Sequence, residues 1–279
     1  MPNPKTTLAV LTSLLLGTAF YISFLVPYLQ KHSIQTQTEN SSERNWPHEG
    51  NKTIKRFYQA KRKAHEIYKG METTFYCACS FKEKVVNHQS CGFKPVQEDE
   101  RSYRIEWEHV VPAYDFGKSF ASWREGHPEC VNSRGQKYKG RRCARKVSPK
   151  FNQMESDLYN LVPAIGEVNK HRSNLPMGIL SGDALSFGSC KTRIGAEFIE
   201  PRDQIKGFIA RTYQYMHHAY PGHGIISRKN SQLFEAWNRS YPPSPQEIKR
   251  AKRISIIQGN YNRFLETTLS SKSSRKENG

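Results

Sequence analysis

Apolar positions along this chain fall into three patterns, and each predicts a different element. The first is a run. Residues 6–30 carry no charge and include Leu8, Val10, Leu11, Leu14, Leu15, Leu16, Phe20, Ile22, Phe24, Leu25 and Val26, between Lys5 and Lys31. Two readings compete for it. A signal peptide would take Leu8–Leu16 as its apolar core and use Gly17 and Ala19 before a cut. An uncleaved anchor would use the whole run, which suits a bilayer span of ~20 residues. Because the run continues past Ala19, the anchor is preferred. Either way the remainder is exported to the periplasm or beyond, and the anchor would tether it to the inner membrane. Residues 31–50 are polar and rich in Ser, Thr, Asn and Gln, the composition of a linker. Residues 267–279 read as a disordered basic tail.

The second pattern has helical spacing. Ile54, Phe57, Ala64, Ile67 and Tyr68 fall on one face of a helical repeat, as do Ile205, Phe208, Ile209, Thr212 and Met216 behind Pro201. A further helix is predicted around Leu233–Trp237. Ser244-Pro245-Gln246-Glu247 has the form of an N-cap, an N1 proline and a capping-box Glu. Ile248, Ala251, Ile254 and Ile257 continue that helix until Gly259 stops it. The third pattern is short and extended, predicting strands over Thr73–Cys79 and Tyr103–Val111. Residues 117–150, rich in Gly, Lys, Arg and Ser, read as a long loop. The sum is an α+β domain over 51–266, mainly helical with a small antiparallel element.

Charge narrows the partners. Lys and Arg total 43 against 25 Asp and Glu, so the net charge is 43 − 25 = +18. A surplus of that size points to polyanions, nucleic acid first and anionic membrane second. The six cysteines, at 77, 79, 91, 130, 143 and 190, suggest disulfides in an exported domain. Zinc is the competing reading for Cys77, Cys79 and Cys91, but Cys-x-Cys is too short for a structural knuckle. Cys77 and Cys79 are also too far apart, on one face of an extended strand, to bond each other.

Two segments carry chemistry. The first is Arg104-Ile105-Glu106-Trp107-Glu108-His109-Val110-Val111-Pro112-Ala113. A carboxylate beside a histidine offers a hard metal ligand and a general base in one dipeptide. Strict alternation points Glu108 and His109 to opposite faces, so both serve one phosphate only if the strand ends or bulges there; Pro112 is suited to such an end. The second segment runs from Met154 through Asn174, where Pro163 is expected to start a helix carrying Glu167, Asn169 and Arg172. His217, His218 and His223 form a further histidine group, read as ordinary surface and core residues. The basic runs Lys52–Lys63, Arg141–Lys150 and Lys249–Arg253 are read as phosphate contacts or solvated faces.

Together these segments resemble the bacterial periplasmic or secreted endonuclease I family, nucleases of the ββα-metal (His-Me finger) type. The resemblance spans roughly residues 50–265. It rests on Phe75–Cys79, Ser90–Phe93, Glu106–Ala113, Met154–Asn169, Ala210–Tyr213 and Gln258–Asn260. It implies a sequence-nonspecific endonuclease acting on DNA, and on RNA as well, that leaves 5′-phosphate ends. It implies Glu108 and Asn169 as ligands of one divalent metal, usually magnesium with manganese or calcium as alternatives, and His109 as the general base. A loop arginine would stabilise the phosphate. Arg141-Arg142-Cys143 departs from the family pattern there and leaves Arg141 and Arg142 both open. Glu155 and Asn160 are candidate supports for the site, Glu155 with the alternatives of a direct metal contact and of a solvated carboxylate at a helix start. Lys170-His171 stands where the family usually has Gly-Asp, and Tyr159 where a His is common. The family's cysteine pattern suggests a Cys130–Cys143 bridge, leaving Cys77 and Cys79 to take Cys91 and Cys190 in an order left open. A monomer is expected. The other readings are a catalytically inactive, membrane-tethered DNA-binding protein and a membrane-anchored structural protein. The intact Glu108, His109 and Asn169 set argues against the first, and the spread of basic residues over the whole chain against the second.

Overall fold

The structure is a computed structural model that describes residues 49–265. The apolar run 6–30, the linker through residue 48 and the basic tail lie outside the described residues. Among those described, no helix is long and apolar enough to cross a membrane.

Helix α1, Phe57–Tyr68, buries Ala60, Ala64 and Ile67 at i, i+4 and i+7, one stripe of a 3.6-residue repeat. The predicted strand over Thr73–Cys79 does not form. Only Thr73 bridges Ser80, and the chain turns instead, with Ala78 in the left-handed region at φ 60°. Thr74 Oγ1 accepts from Cys79 N at 2.9 Å to close the turn. The turn lets neighbouring cysteines reach different partners: Cys77 bonds Cys190 and Cys79 bonds Cys91. A hairpin follows, β1 Phe81–Lys82 and β2 Val85–Val86.

The element that positions the chemistry is β3, Ile105–His109, paired antiparallel with β4, Leu161–Ile165, and followed at once by α6, Gly166–Arg172. Pro163 therefore lies in a strand opposite Trp107, and the helix begins three residues later than the sequence suggested. A two-stranded ribbon tolerates the missing N–H, and the Pro163 carbonyl accepts from Phe75 N at 2.8 Å. Gly166 marks the true start because a Cβ there would lie 2.7 Å from the Arg101 carbonyl and 3.0 Å from the Glu106 carboxyl.

Four short helices lie between β3 and β4: α2 Ala113–Gly117, α3 Ala121–Arg124, α4 Arg141–Val147 and α5 Pro149–Glu155, of which α3 and α4 fall within the stretch 117–150 expected to be loop and α5 begins at its end. Cys130–Cys143 ties the loop to α4. Ser148 caps α5 by accepting from Phe151 N at 3.1 Å, with Pro149 in the first turn. The same Ser-Pro device opens the last long helix. Three antiparallel strands without a clear sequence signal follow: β5 Leu185–Phe187, β6 Cys190–Ile194 and β7 Ile199–Glu200.

The C-terminal third is α7 Asp203–Ala219, α8 Arg228–Ser240 and α9 Pro245–Gln258. Ser244 Oγ accepts from Glu247 N at 3.1 Å, and Gly259 ends α9 at φ 81°. The Glu247 carboxylate does not complete the capping box. It turns inward to a buried ion pair with Arg211, at 2.6 and 2.8 Å. Arg250, expected in a solvated or phosphate-facing run, is only 5% exposed and donates from Nη2 to the carbonyls of Leu158, Tyr159 and Leu161. It ties α9 to the start of β4.

Candidate active site

Side chains alternate along β3, and the two faces meet different helices. Glu106 and Glu108 face α6. Asn169 Nδ2 on that helix donates to Glu106 Oε2 at 2.8 Å, and Arg172 Nη1, one turn on, donates to Glu108 Oε1 at 2.7 Å. The i, i+2 spacing of a strand is matched to the i, i+3 spacing of a helix. Trp107 and His109 meet α1 on the other side. Trp107 Nε1 donates to His65 Nε2 at 3.2 Å, and the His109 ring stacks on Phe57 with centroids 4.9 Å apart.

β3 ends at His109, as the nearby Pro112 suggested. There a cleft of about 290 Å³ opens, lined by Glu108, His109, Arg141, Asn169 and Arg172, with Phe57 and Trp107 as aromatic walls. The alternation that separates Glu108 from His109 therefore does not keep them from one cavity.

His109 Nε2 lies 2.8 Å from the main-chain carbonyl of Glu155. A carbonyl only accepts, so this nitrogen carries the proton, and Nδ1 is the ring atom with a free lone pair. Burial, followed by the charge of Arg141, lowers the His109 pKa to about 4. The imidazole is therefore neutral at ambient pH, the form a base requires.

Glu155 is fully buried at the end of α5, which removes the reading of a solvated helix-start carboxylate. Its two oxygens take Arg141 Nε and, at 2.6 Å, Arg145 Nε. Burial pushes its pKa up, but the Arg145 hydrogen bond and the Arg141 charge outweigh that and hold it below the ordinary carboxylate value. Both guanidinium groups also lie over the Phe57 ring, at 5.6 and 5.5 Å. Arg141 lines the cleft, whereas Arg142 is exposed and lies over Tyr138 at 4.2 Å. Asn160 clamps the chain just past His109, accepting from Val111 N at 2.7 Å and donating to Val111 O at 2.9 Å.

Several contributors were missed by sequence reasoning. Arg172 is fully buried and also donates to the carbonyls of His109 and Val110, at 2.8 and 2.7 Å. Tyr76 OH donates to Glu108 Oε1 at 3.2 Å. Burial raises the Glu108 pKa, and Arg172 opposes that shift. Arg172 had a usable signal: it lies one turn beyond Asn169 on a helix that must face two strand carboxylates. His223 is drawn off to Ser119 Oγ, at 2.6 Å, and stacks on Phe120. Among the described residues no group of three or more His, Cys, Asp and Glu side chains is gathered as a metal-holding cluster. Tyr159 is a core residue whose hydroxyl donates to Asn260 O at 3.2 Å. Lys170 is exposed and pairs with Asp99 at 3.6 Å.

Comparison with known proteins bears on this site. A profile of the Endonuclease I family matches residues 28–268. Among relatives, an Endonuclease-1 of Buchnera aphidicola is 38% identical over 221 residues, covering 77% of this chain and 82% of that protein. An extracellular deoxyribonuclease of Aeromonas hydrophila is 37% identical over 76% of this chain and 89% of its own length. A periplasmic deoxyribonuclease from the same organism is 37% identical, with 75% and 85% covered.

Proposed function

The chain belongs to the endonuclease I family and is a nuclease, and from that premise we propose an exported, metal-dependent, sequence-nonspecific endonuclease with His109 as its general base. DNA is the first substrate, in line with the deoxyribonuclease relatives, and RNA the second. The observation that carries the reading is the His109 ring. Its Nε2 is engaged by the Glu155 carbonyl, which leaves the Nδ1 lone pair free, and His109 lines a cleft shared with Glu108 and Asn169.

The donor set fits a divalent cation of the magnesium type. The Glu106 carboxylate engages the Asn169 amide nitrogen, so the amide oxygen is the end left to bind. With Glu108 this offers two hard oxygens in one cleft, and magnesium keeps several waters and takes phosphate oxygens for the rest. Manganese or calcium would meet the same oxygens. A bound cation there supplies charge neutralisation on the scissile phosphate and at the departing oxygen.

The chain's own residues do the remainder. His109 Nδ1 takes a proton from the attacking water. Glu155 O holds the ring in the required tautomer and orientation. Arg141 is the phosphate-facing arginine, since it lines the cleft and Arg142 does not. Attack at phosphorus with departure of the 3′ oxygen leaves 5′-phosphate ends. The +18 surplus supports binding through the phosphate backbone. Names such as extracellular and periplasmic among the relatives support export. The inactive DNA-binding reading has no observation in its favour.

Incubating purified protein with supercoiled plasmid and magnesium tests the proposal. Expected are nicked and linear products, 5′-phosphate ends that ligate, no consensus among mapped cuts, and complete loss of cleavage in EDTA. Cleavage that persists in EDTA, or cuts confined to one short sequence, contradicts it.

A further inference from the structure

We infer that Glu106 is a positioning residue that, clamped by Arg101, fixes which end of the Asn169 amide faces the metal. The inference rests on the proposed metal role of Asn169. An amide has two nearly isosteric ends, and only the oxygen binds a cation; the NH₂ end is a donor and repels one. A metal-binding Asn therefore needs a neighbour that distinguishes the two ends. A carboxylate does so, because it accepts and cannot donate.

Glu106 is placed for that task. Its Oε2 accepts from Asn169 Nδ2 at 2.8 Å. Turning the amide over would put two oxygens at the same separation. The carboxylate itself is held from its other side by Arg101, whose Nε and Nη2 donate to Oε1 and Oε2 at 2.8 and 2.6 Å. This two-point fork fixes the plane of the group, and Arg104 adds a looser contact at 3.8 Å. Arg101 is fixed in turn. Its own N–H donates to Asp99 Oδ1 at 2.8 Å, and Val96 N and Gln97 N of the same segment donate to the buried Glu167 Oε1 at 2.8 and 2.7 Å. Glu167 and Asn169 both belong to α6, so one helix anchors the segment at one end and receives its effect at the other. The absence of a side chain at Gly166, where a Cβ would lie 3.0 Å from the Glu106 carboxyl, keeps room for the arrangement.

The test is Mn²⁺ titration of the folded protein, read by calorimetry, with a melting curve for each variant. Loss of such supporting groups typically lowers metal affinity ~10–100-fold, and Glu106→Ala should fall in that range. Arg101→Ala removes the clamp without touching β3 and should fall in the same direction; parental affinity in it overturns the inference, even if Glu106→Ala fails to fold. The Asn169→Asp background separates orientation from simple charge. An aspartate presents oxygen whichever way it turns, so adding Glu106→Ala there should cost less Mn²⁺ affinity than the same change costs in the parent. Equal losses in the parental and Asn169→Asp backgrounds overturn the inference, since Glu106 would then act only as a charge. Parental Mn²⁺ affinity in Asn169→Ala would instead sink the metal reading on which it stands.

Discussion

Replacing Arg172 with methionine removes the cation that neutralises Glu108 in the interior. Arg172 is fully buried and Glu108 is 5% exposed, with 2.7 Å between Nη1 and Oε1. Water does not replace the lost partner easily at such burial. Breaking a buried pair from one side costs about 3–5 kcal/mol, because the remaining charge stays desolvated. The carbonyls of His109 and Val110 lose donors as well, at about 1 kcal/mol each. A domain of this size loses ~2–4 °C of Tm per kcal/mol, so a loss of about 5–7 kcal/mol should make Arg172→Met melt roughly 10–28 °C below the parent in EDTA. Magnesium should recover more stability in the variant than in the parent, since the metal would no longer share Glu108 with a guanidinium. Urea unfolding followed by circular dichroism, with EDTA and then with magnesium, measures both quantities. A loss below about 1 kcal/mol in EDTA, or an identical magnesium effect in both proteins, would refute the reasoning.

Three further outcomes follow from the same geometry. The Glu155 pKa is depressed in the folded protein, so its contribution is present above the ordinary carboxylate value and is lost as pH falls through the folded one; Glu155→Gln should flatten the acid limb of urea midpoints between pH 7 and 3, and an unchanged limb would remove Glu155 from the account. Plasmid affinity should fall steeply on a plot of log K against log salt, as expected for binding through phosphates; a flat plot contradicts backbone recognition. Nonreducing peptide mapping should recover Cys77–Cys190, Cys79–Cys91 and Cys130–Cys143, each bridge being worth roughly 2–4 kcal/mol; six free thiols, or stoichiometric zinc, would replace this framework.

What the sequence made legible follows from the range of the forces involved. Helices α7 and α9 could be read because their apolar stripes and caps are local: Ser244 and Gly259 do in the structure what their residue types allow. That β3 ends close to His109 was legible because Pro112 stands three residues on, although the strand stops two residues short of the expected Val111. Elements decided by distant partners were not legible. Thr73–Cys79 has strand composition, but it forms a turn through Ala78 whose two cysteines bond the distant Cys190 and Cys91. Pro163 signals a helix start in isolation, yet pairing with Trp107 draws it into β4. The basic loop concealed α4 and α5, although Ser148-Pro149 carried the same start signal as Ser244-Pro245. At the site, Glu108, His109 and Asn169 could be named from two segments, whereas Arg172, Arg101 and Tyr76 act through contacts that only the fold creates.

The central claim is that His109 is the base, acting from Nδ1 while the Glu155 carbonyl holds Nε2. Plasmid cleavage by purified, folded His109→Ala in magnesium, measured beside DNA binding by the same protein, tests it most directly. The account expects cleavage to fall by ~10² or more, the scale of a lost general base, while DNA affinity stays close to that of the parent. Cleavage near the parental rate would contradict it.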